Sequence, residues 1–255
     1  MSAWDVNLYL RFGNERSQPT IDLVSRVSLS DPQRIIDVGC GPGNSTEILR
    51  QRWPNARVTG LDSSPEMIDA ARKAHPDQEW LLADAAVWQA EAPFDLVFSN
   101  AALQWVPNHA RLMPRLMDQV APGGALAFQI PSRVHSLTHQ FILDVADDPE
   151  WMLLLAGARR AFTMEPPPRY YDLLVARARL EMWETEYYHV MADHDAILQW
   201  MRGASARPFL EALDTEQQRQ RFLGLLARRV AQAYQPQRDG KILFPFRRLF
   251  VVAYR

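Results

Sequence analysis

Apolar residues along this chain follow two alternating rhythms. Short, nearly unbroken apolar runs over 34–38, 56–61, 79–83, 94–98 and 125–130 read as strands buried on both faces. Between them the apolar positions recur every three or four residues. One such stretch, 17–29, puts Ile21, Val24 and Val27 on its inward side and carries Pro19 in its first turn. Another runs from 44 to 53 and stops before Pro54. A third is capped by Ser64, has Pro65 at its first position and extends to about residue 74. A fourth, 109–120, leads into Pro122-Gly123-Gly124. Strands alternating with helices predict an α/β fold with a doubly wound, mostly parallel sheet.

The rhythm loosens after residue 131. Helical stretches over 137–146, 151–162 and 170–178 follow one another with no clear parallel strand between them. Residues 180–191 read as one long strand, and 194–201 and 206–213 as helical pieces. A strong helix over 215–233 opens with Thr215 and carries Gln218 three residues on, the pattern of a capping box. Ile242-Leu243-Phe244 and Leu249–Tyr254 close the chain around Pro245. The length, 255 residues, suits a single domain with a sizeable insertion.

The turn after the first strand carries the most specific chemistry. Ile36-Asp37 leads into Gly39, Gly41 and Gly43 at alternate positions, and Asn44-Ser45-Thr46 open the next helix. In an α/β sheet a nucleotide lies against bare backbone here. A dinucleotide fingerprint needs a third small residue where Asn44 stands, and a P-loop needs a lysine the turn lacks. Asp62 falls 19 residues after Gly43 at the end of the second strand, where an acid accepts from two ribose hydroxyls. Asp84 ends the third strand, and Ser99-Asn100-Ala101-Ala102-Leu103-Gln104-Trp105 follows the fourth.

D-x-G-x-G-x-G resembles the first motif of class I S-adenosylmethionine (SAM) methyltransferases. The resemblance implies SAM as cofactor, S-adenosylhomocysteine as its product, and a Rossmann-like seven-stranded sheet closed by an antiparallel last strand beside 180–191. It implies a cofactor site made of Asp37, Gly39, Cys40, Gly41, Gly43, Asp62, Ser63, Met67, Asp84, Ala85 and Asn100, with Arg16 from a flap that precedes the first strand. Further phrases are similar to the trans-aconitate 2-methyltransferase family: Tyr9-Leu10-Arg11-Phe12, Asn100–Trp105, Tyr170-Tyr171-Asp172, Tyr187-Tyr188-His189, Arg207-Pro208 and Arg248-Leu249-Phe250. The implied reaction is methylation of a carboxylate of trans-aconitate. The resemblance divides the chain into a flap and helix (1–30), a SAM-binding half (31–131) and a mostly helical, acceptor-binding insertion or lid (132–215).

A carboxylate is already ionised at neutral pH, so this chemistry needs positioning rather than a general base, and no catalytic side chain is assigned. Holding a trianion calls for guanidinium forks and tyrosine hydroxyls. Tyr9, Gln104, Trp105, Arg133, Tyr170, Tyr171, Arg207 and Arg248 are the candidates. Other readings stay open: another small carboxylic acid, or an N- or O-acceptor served by His135, His139, His189 or His194. A nicotinamide-dependent oxidoreductase and a non-catalytic SAM-binding protein belong to other classes.

Composition narrows the partners. Net charge is −2, so no broad basic surface invites nucleic acid, and only Lys73 and Lys241 among the 28 basic residues are lysines. No His/Cys/Asp cluster has metal-ligand spacing. The only cysteine, Cys40, excludes an internal disulfide. No basic-then-apolar leader opens the sequence, and no apolar run reaches the roughly 18 residues of a membrane span. These features point to the cytoplasm, away from membranes, and leave the oligomeric state open.

Overall fold

The computed structural model describes residues 13–132, 136–160 and 164–255. Its centre is one seven-stranded sheet in the order β3-β2-β1-β4-β5-β7-β6. The strands are β1 (Arg34–Val38), β2 (Arg57–Asp62), β3 (Glu79–Leu82), β4 (Phe94–Asn100), β5 (Val120–Pro131), β6 (Arg179–Met191) and β7 (Ile242–Tyr254). β1 to β5 pair in parallel, while β7 runs antiparallel to both β5 and β6. The sheet is therefore doubly wound, mostly parallel and closed by a reversed strand, as the sequence resemblance implies.

Alternation along the buried strands explains both faces. Ile35, Leu96, Phe98, Ala127, Phe250 and Val252 point to one side, beneath α1 (Gly13–Arg26) and α2 (Asn44–Arg52). Ile36, Val38, Val97, Phe128 and Val251 point to the other, beneath α4 (His109–Asp118) and α6 (Pro167–Leu174). Between α2 and α4 in the chain, α3 (Pro65–Ala74) starts where the Ser64 hydroxyl accepts the Met67 amide at 3.3 Å. Leu23 and Val24 of α1, and Val27 just after it, turn inward, whereas Ile21 is exposed. Val24 and Val27 face inward as expected, while Thr20 and Leu23 are buried in place of the expected Ile21.

A second apolar core lies beyond the parallel strands. It gathers Ile142 and Val145 of α5 (Leu137–Ala146), Trp200 and Met201 of α7 (His194–Arg202), Phe209 of α8 (Arg207–Ala212) and Phe222 and Leu226 of α9 (Glu216–Ala233). Met191, Ile242 and Phe244, from the far ends of β6 and β7, complete it. These two strands run 13 residues each, well past the edge of the parallel part, so the hairpin carries the helical layer. Residues 151–160 form turns and short 3₁₀ pieces around buried Trp151 and Leu155 instead of the continuous helix expected over 151–162. Thr215 and Gln218 form the expected capping box at the start of α9. No helix among the described residues is long and apolar enough to cross a membrane.

Candidate active site

The site lies at the carboxyl ends of β1, β2 and β4, where doubly wound sheets bind ligands. The loop after β1 bends back across β2: the Gly39 and Cys40 amides donate to the Leu61 carbonyl at 2.7 and 3.0 Å. Gly39 adopts φ +77°, and a Cβ there would meet the Ala102 Cβ at 2.1 Å. Gly41 adopts φ +55°, and a Cβ there would meet nothing within 4 Å, because the backbone faces open space. One glycine lets the loop pack on the turn after β4; the other leaves bare backbone on a cavity wall.

That cavity holds about 590 Å³, within the range of small-molecule sites. Asp62 ends β2 on its wall, where Oδ2 accepts from the Gly41 amide and Oδ1 from the Ser64 amide, both at 2.9 Å. Burial raises its pKa, and these amides oppose the rise. Ser63, Met67, Asp84 and Ala85 follow along the wall. The Asp84 loop is fixed from behind: Arg115 donates to the carbonyls of Ala86 and Trp88. Asn100 and the turn through Pro107 form the opposite wall, with Ala101 held at φ +52°. Arg207 reaches the same cavity from α8, its guanidinium 5.4 Å from the centre of the Trp105 ring.

The cavity thus unites ten of the expected site residues: Gly39, Gly41, Asp62, Ser63, Met67, Asp84, Ala85, Asn100, Trp105 and Arg207. Others stand behind it. Asp37 is fully buried under the loop, where Oδ2 accepts the Ser45 and Thr46 hydroxyls at 2.6 and 2.7 Å. Burial pushes its pKa up to about 6. The carboxylate ties the loop to α2 and does not line the cavity. Cys40 points away into a small core with Ile68 and Trp80, and burial beside Asp37 and Asp62 drives its thiol pKa upward. Gly43 precedes α2 and packs against Trp80.

Among the expected acceptor ligands, four take other places. Tyr170 is fully buried in the core, with its oxygen 2.7 Å from His109 Nδ1. Tyr171 is exposed on α6, one residue round the helix from that buried face. Gln104 is buried, and its amide donates to the Ala101 carbonyl at 2.6 Å, so it braces the turn. Arg248 is 3% exposed and donates to Gln129 Oε1 at 3.1 Å. Gln129, which sequence reasoning missed, donates onward to Asn100 Oδ1 at 2.5 Å. Its only signal was a polar residue inside the apolar run of β5. Arg16 lies in α1 with its side chain outside the described set; Tyr9 and Arg133 fall outside the described residues, as does His135. His189 is buried against Trp200 and Phe244, and His194 Nε2 bonds the Tyr234 carbonyl. Neither they nor His139 line the cavity.

A bare-backbone cradle and two strand-end carboxylates, Asp62 and Asp84, suit a cationic nucleoside better than a pyrophosphate. Known proteins agree. A family profile described as a methyltransferase domain matches residues 35–124. A trans-aconitate 2-methyltransferase of Azoarcus sp. (strain BH72) is 46% identical over 256 residues, covering the whole of both chains. One from Methylobacterium nodulans is 45% identical over 257 residues, covering all of this chain and 99% of its own. Among solved structures, phosphoethanolamine N-methyltransferase 2 of Haemonchus contortus, in complex with S-adenosylhomocysteine, superposes with a TM-score of 0.57 at 15% identity. It covers 93% of this chain and 52% of its own, a likeness of fold.

Proposed function

The chain belongs to the trans-aconitate 2-methyltransferase family, and from that premise we propose that it transfers a methyl group from SAM to a carboxylate of trans-aconitate. The products are a monomethyl ester and S-adenosylhomocysteine. One observation carries the acceptor half of this reading: Arg207, delivered from α8, stands against Trp105 in the cavity that also holds Asp62 and Gly41. A guanidinium there gives a carboxylate a forked partner beside the donor site.

The residues divide the work. In this reading Asp62 accepts the ribose hydroxyls, and Met67, Asp84 and Ala85 border the adenine; their common place on the cavity wall supports it. Gly39 and Gly41 leave room for the methionine end. In this reading residues 31–131 form the donor half, and 132–215 the insertion that brings the acceptor. SAM, once bound, supplies a methyl carbon made electrophilic by its sulfonium. The acceptor oxygen is already an anion, so the protein orients it and excludes water rather than removing a proton. The small-molecule acceptor and the absence of any thiol other than buried Cys40 support work in the cytoplasm.

The test is methyl-labelled SAM with trans-aconitate, followed by extraction of label as a base-labile ester. Label with trans-aconitate, and much less with cis-aconitate, isocitrate or citrate, is the expected result. A protein that binds SAM but labels none of these acids refutes the proposal.

A further inference from the structure

We propose that Gln129 is a specificity-determining relay: it locks the Asn100 amide so that its N–H groups, and not its carbonyl, face a carboxylate of the acceptor. This rests on the tricarboxylate reading of the site and names a recognition element within it. The three side chains share one face of the sheet. Gln129 pairs directly with Asn100 across β4 and β5, and Arg248 sits diagonally across β5 and β7, opposite Pro131.

Hydrogen-bond polarity settles the orientation. A guanidinium only donates, so the Gln129 atom 3.1 Å from Arg248 Nη1 is the carbonyl oxygen. The other Gln129 atom is then the amide nitrogen, a donor, and the Asn100 atom 2.5 Å from it must accept. Asn100 Oδ1 is thereby committed to Gln129, and Nδ2 is left with two N–H groups that no described residue accepts. Asn100 lines the cavity, as do Trp105 and Arg207. Gln129 is fully buried between Arg248 and Asn100, so its own amide cannot escape the order by turning to water. An amide alone would present either end with little preference; the buried arginine removes the choice. The result is an anion-accepting surface in the cavity that Arg207 also lines, suited to one of the non-reacting carboxylates.

Gln129→Glu tests this with almost no change of shape. A carboxylate at 129 keeps its bond to Arg248 but only accepts. Asn100 must then turn Nδ2 toward it and offer Oδ1 to the cavity. KM for trans-aconitate should rise at least about tenfold, the scale of losing a charge-assisted hydrogen bond. The dissociation constant for S-adenosylhomocysteine should stay within about twofold. A dicarboxylate analogue lacking one non-reacting carboxylate should lose less, so the preference for the tricarboxylate shrinks. Asn100→Asp guards against misfolding at the buried site: Gln129 still has an acceptor, while the second oxygen repels the acceptor, and KM should rise likewise. In the Gln129→Glu background, Asn100→Ala should raise KM by less than about twofold more. Unchanged KM in Gln129→Glu overturns the relay. So does a parallel loss of S-adenosylhomocysteine affinity, which would place the donor's carboxylate on Asn100. A wild-type protein that neither methylates nor binds trans-aconitate in calorimetry overturns the proposed function and the relay together; an active wild type with an unaffected variant overturns the relay alone.

Discussion

Replacing Tyr170 by Phe separates two roles for a residue whose sequence context resembles an acceptor ligand. The ring packs edge-on to Phe128, with centroids 5.5 Å apart, and a phenylalanine keeps that contact. What disappears is the hydroxyl, and its neighbours fix what that removes. His109 Nε2 lies 2.9 Å from the Leu103 carbonyl, which only accepts, so Nε2 carries the proton. Burial lowers the His109 pKa and keeps the ring neutral. Nδ1 is therefore an acceptor, and the Tyr170 hydroxyl donates to it at 2.7 Å. The same oxygen accepts the Glu165 amide at 3.2 Å, in a less buried position.

Tyr170→Phe thus strands one fully buried imidazole nitrogen and loosens one amide that water can reach. The first costs about 1–3 kcal/mol and the second little, for a total near 2 kcal/mol. In a chain of this size that is about 4–8 °C in Tm. Urea denaturation gives the free energy, and steady-state kinetics with trans-aconitate give KM. The expected pair is a loss near 2 kcal/mol with KM within about twofold, because the bond from His109 to Leu103 survives. Unchanged stability with a raised KM would refute the assignment and return Tyr170 to the acceptor site.

Gly39→Ala forces a methyl onto Ala102 at 2.1 Å with φ +77°, so it should lower stability by more than about 2 kcal/mol and abolish calorimetric binding of S-adenosylhomocysteine. Gly41→Ala meets no protein atom and should cost only about 1–2 kcal/mol of stability for its positive φ, while weakening the ligand whose space it enters; equal behaviour of the two variants contradicts the cradle. Arg207→Leu should raise KM for trans-aconitate at least about tenfold while SAM affinity persists, and a matching loss of SAM affinity would make Arg207 structural. Asp37 has a folded pKa near 6 against 3.8 in a free chain, so its contribution to stability is present below about pH 3.8 and is lost as pH rises through 6. Asp37→Asn cannot ionise and still accepts from Ser45 and Thr46; its stability relative to the wild type should improve by up to roughly 3 kcal/mol between pH 4 and pH 7 in urea titrations, and a pH-independent difference counts against the buried acid.

The donor half was legible because its residues follow strand ends, and strand ends are readable from short apolar runs. Asp62 closes β2, Asp84 follows β3 and Asn100 closes β4, so recognising the strands nearly located the cavity. The acceptor half was less legible, because its geometry depends on which face of a helix or strand each residue takes. In α6, Tyr170 and Tyr171 are adjacent and look equivalent; the helix turns about 100° between them, leaving one in the core and the other in solvent. Asp37 was misplaced for a different reason. Its partners Ser45 and Thr46 look like caps for α2, yet both hydroxyls bond to Asp37 instead.

Arg207 and Arg248 show what separates a guanidinium that reaches the cavity from one that acts behind it. Both occur in phrases that resemble the same family, and nothing local distinguishes them. Arg207 begins a six-residue helix, held by an ion pair to Glu211 at 3.6 Å and by the ring of Trp105, so its head group reaches the wall. Arg248 lies on a strand with β5 on one side and β6 on the other, and its side chain is 3% exposed and does not line the cavity. Its charge is too costly to bury without polar partners, and Gln129 is one of them. Because an amide that accepts at one end must donate at the other, that requirement is passed to Asn100 on the cavity wall. The demands of burying one arginine thus fix the polarity of a residue in the site, an arrangement that only the cross-strand register reveals.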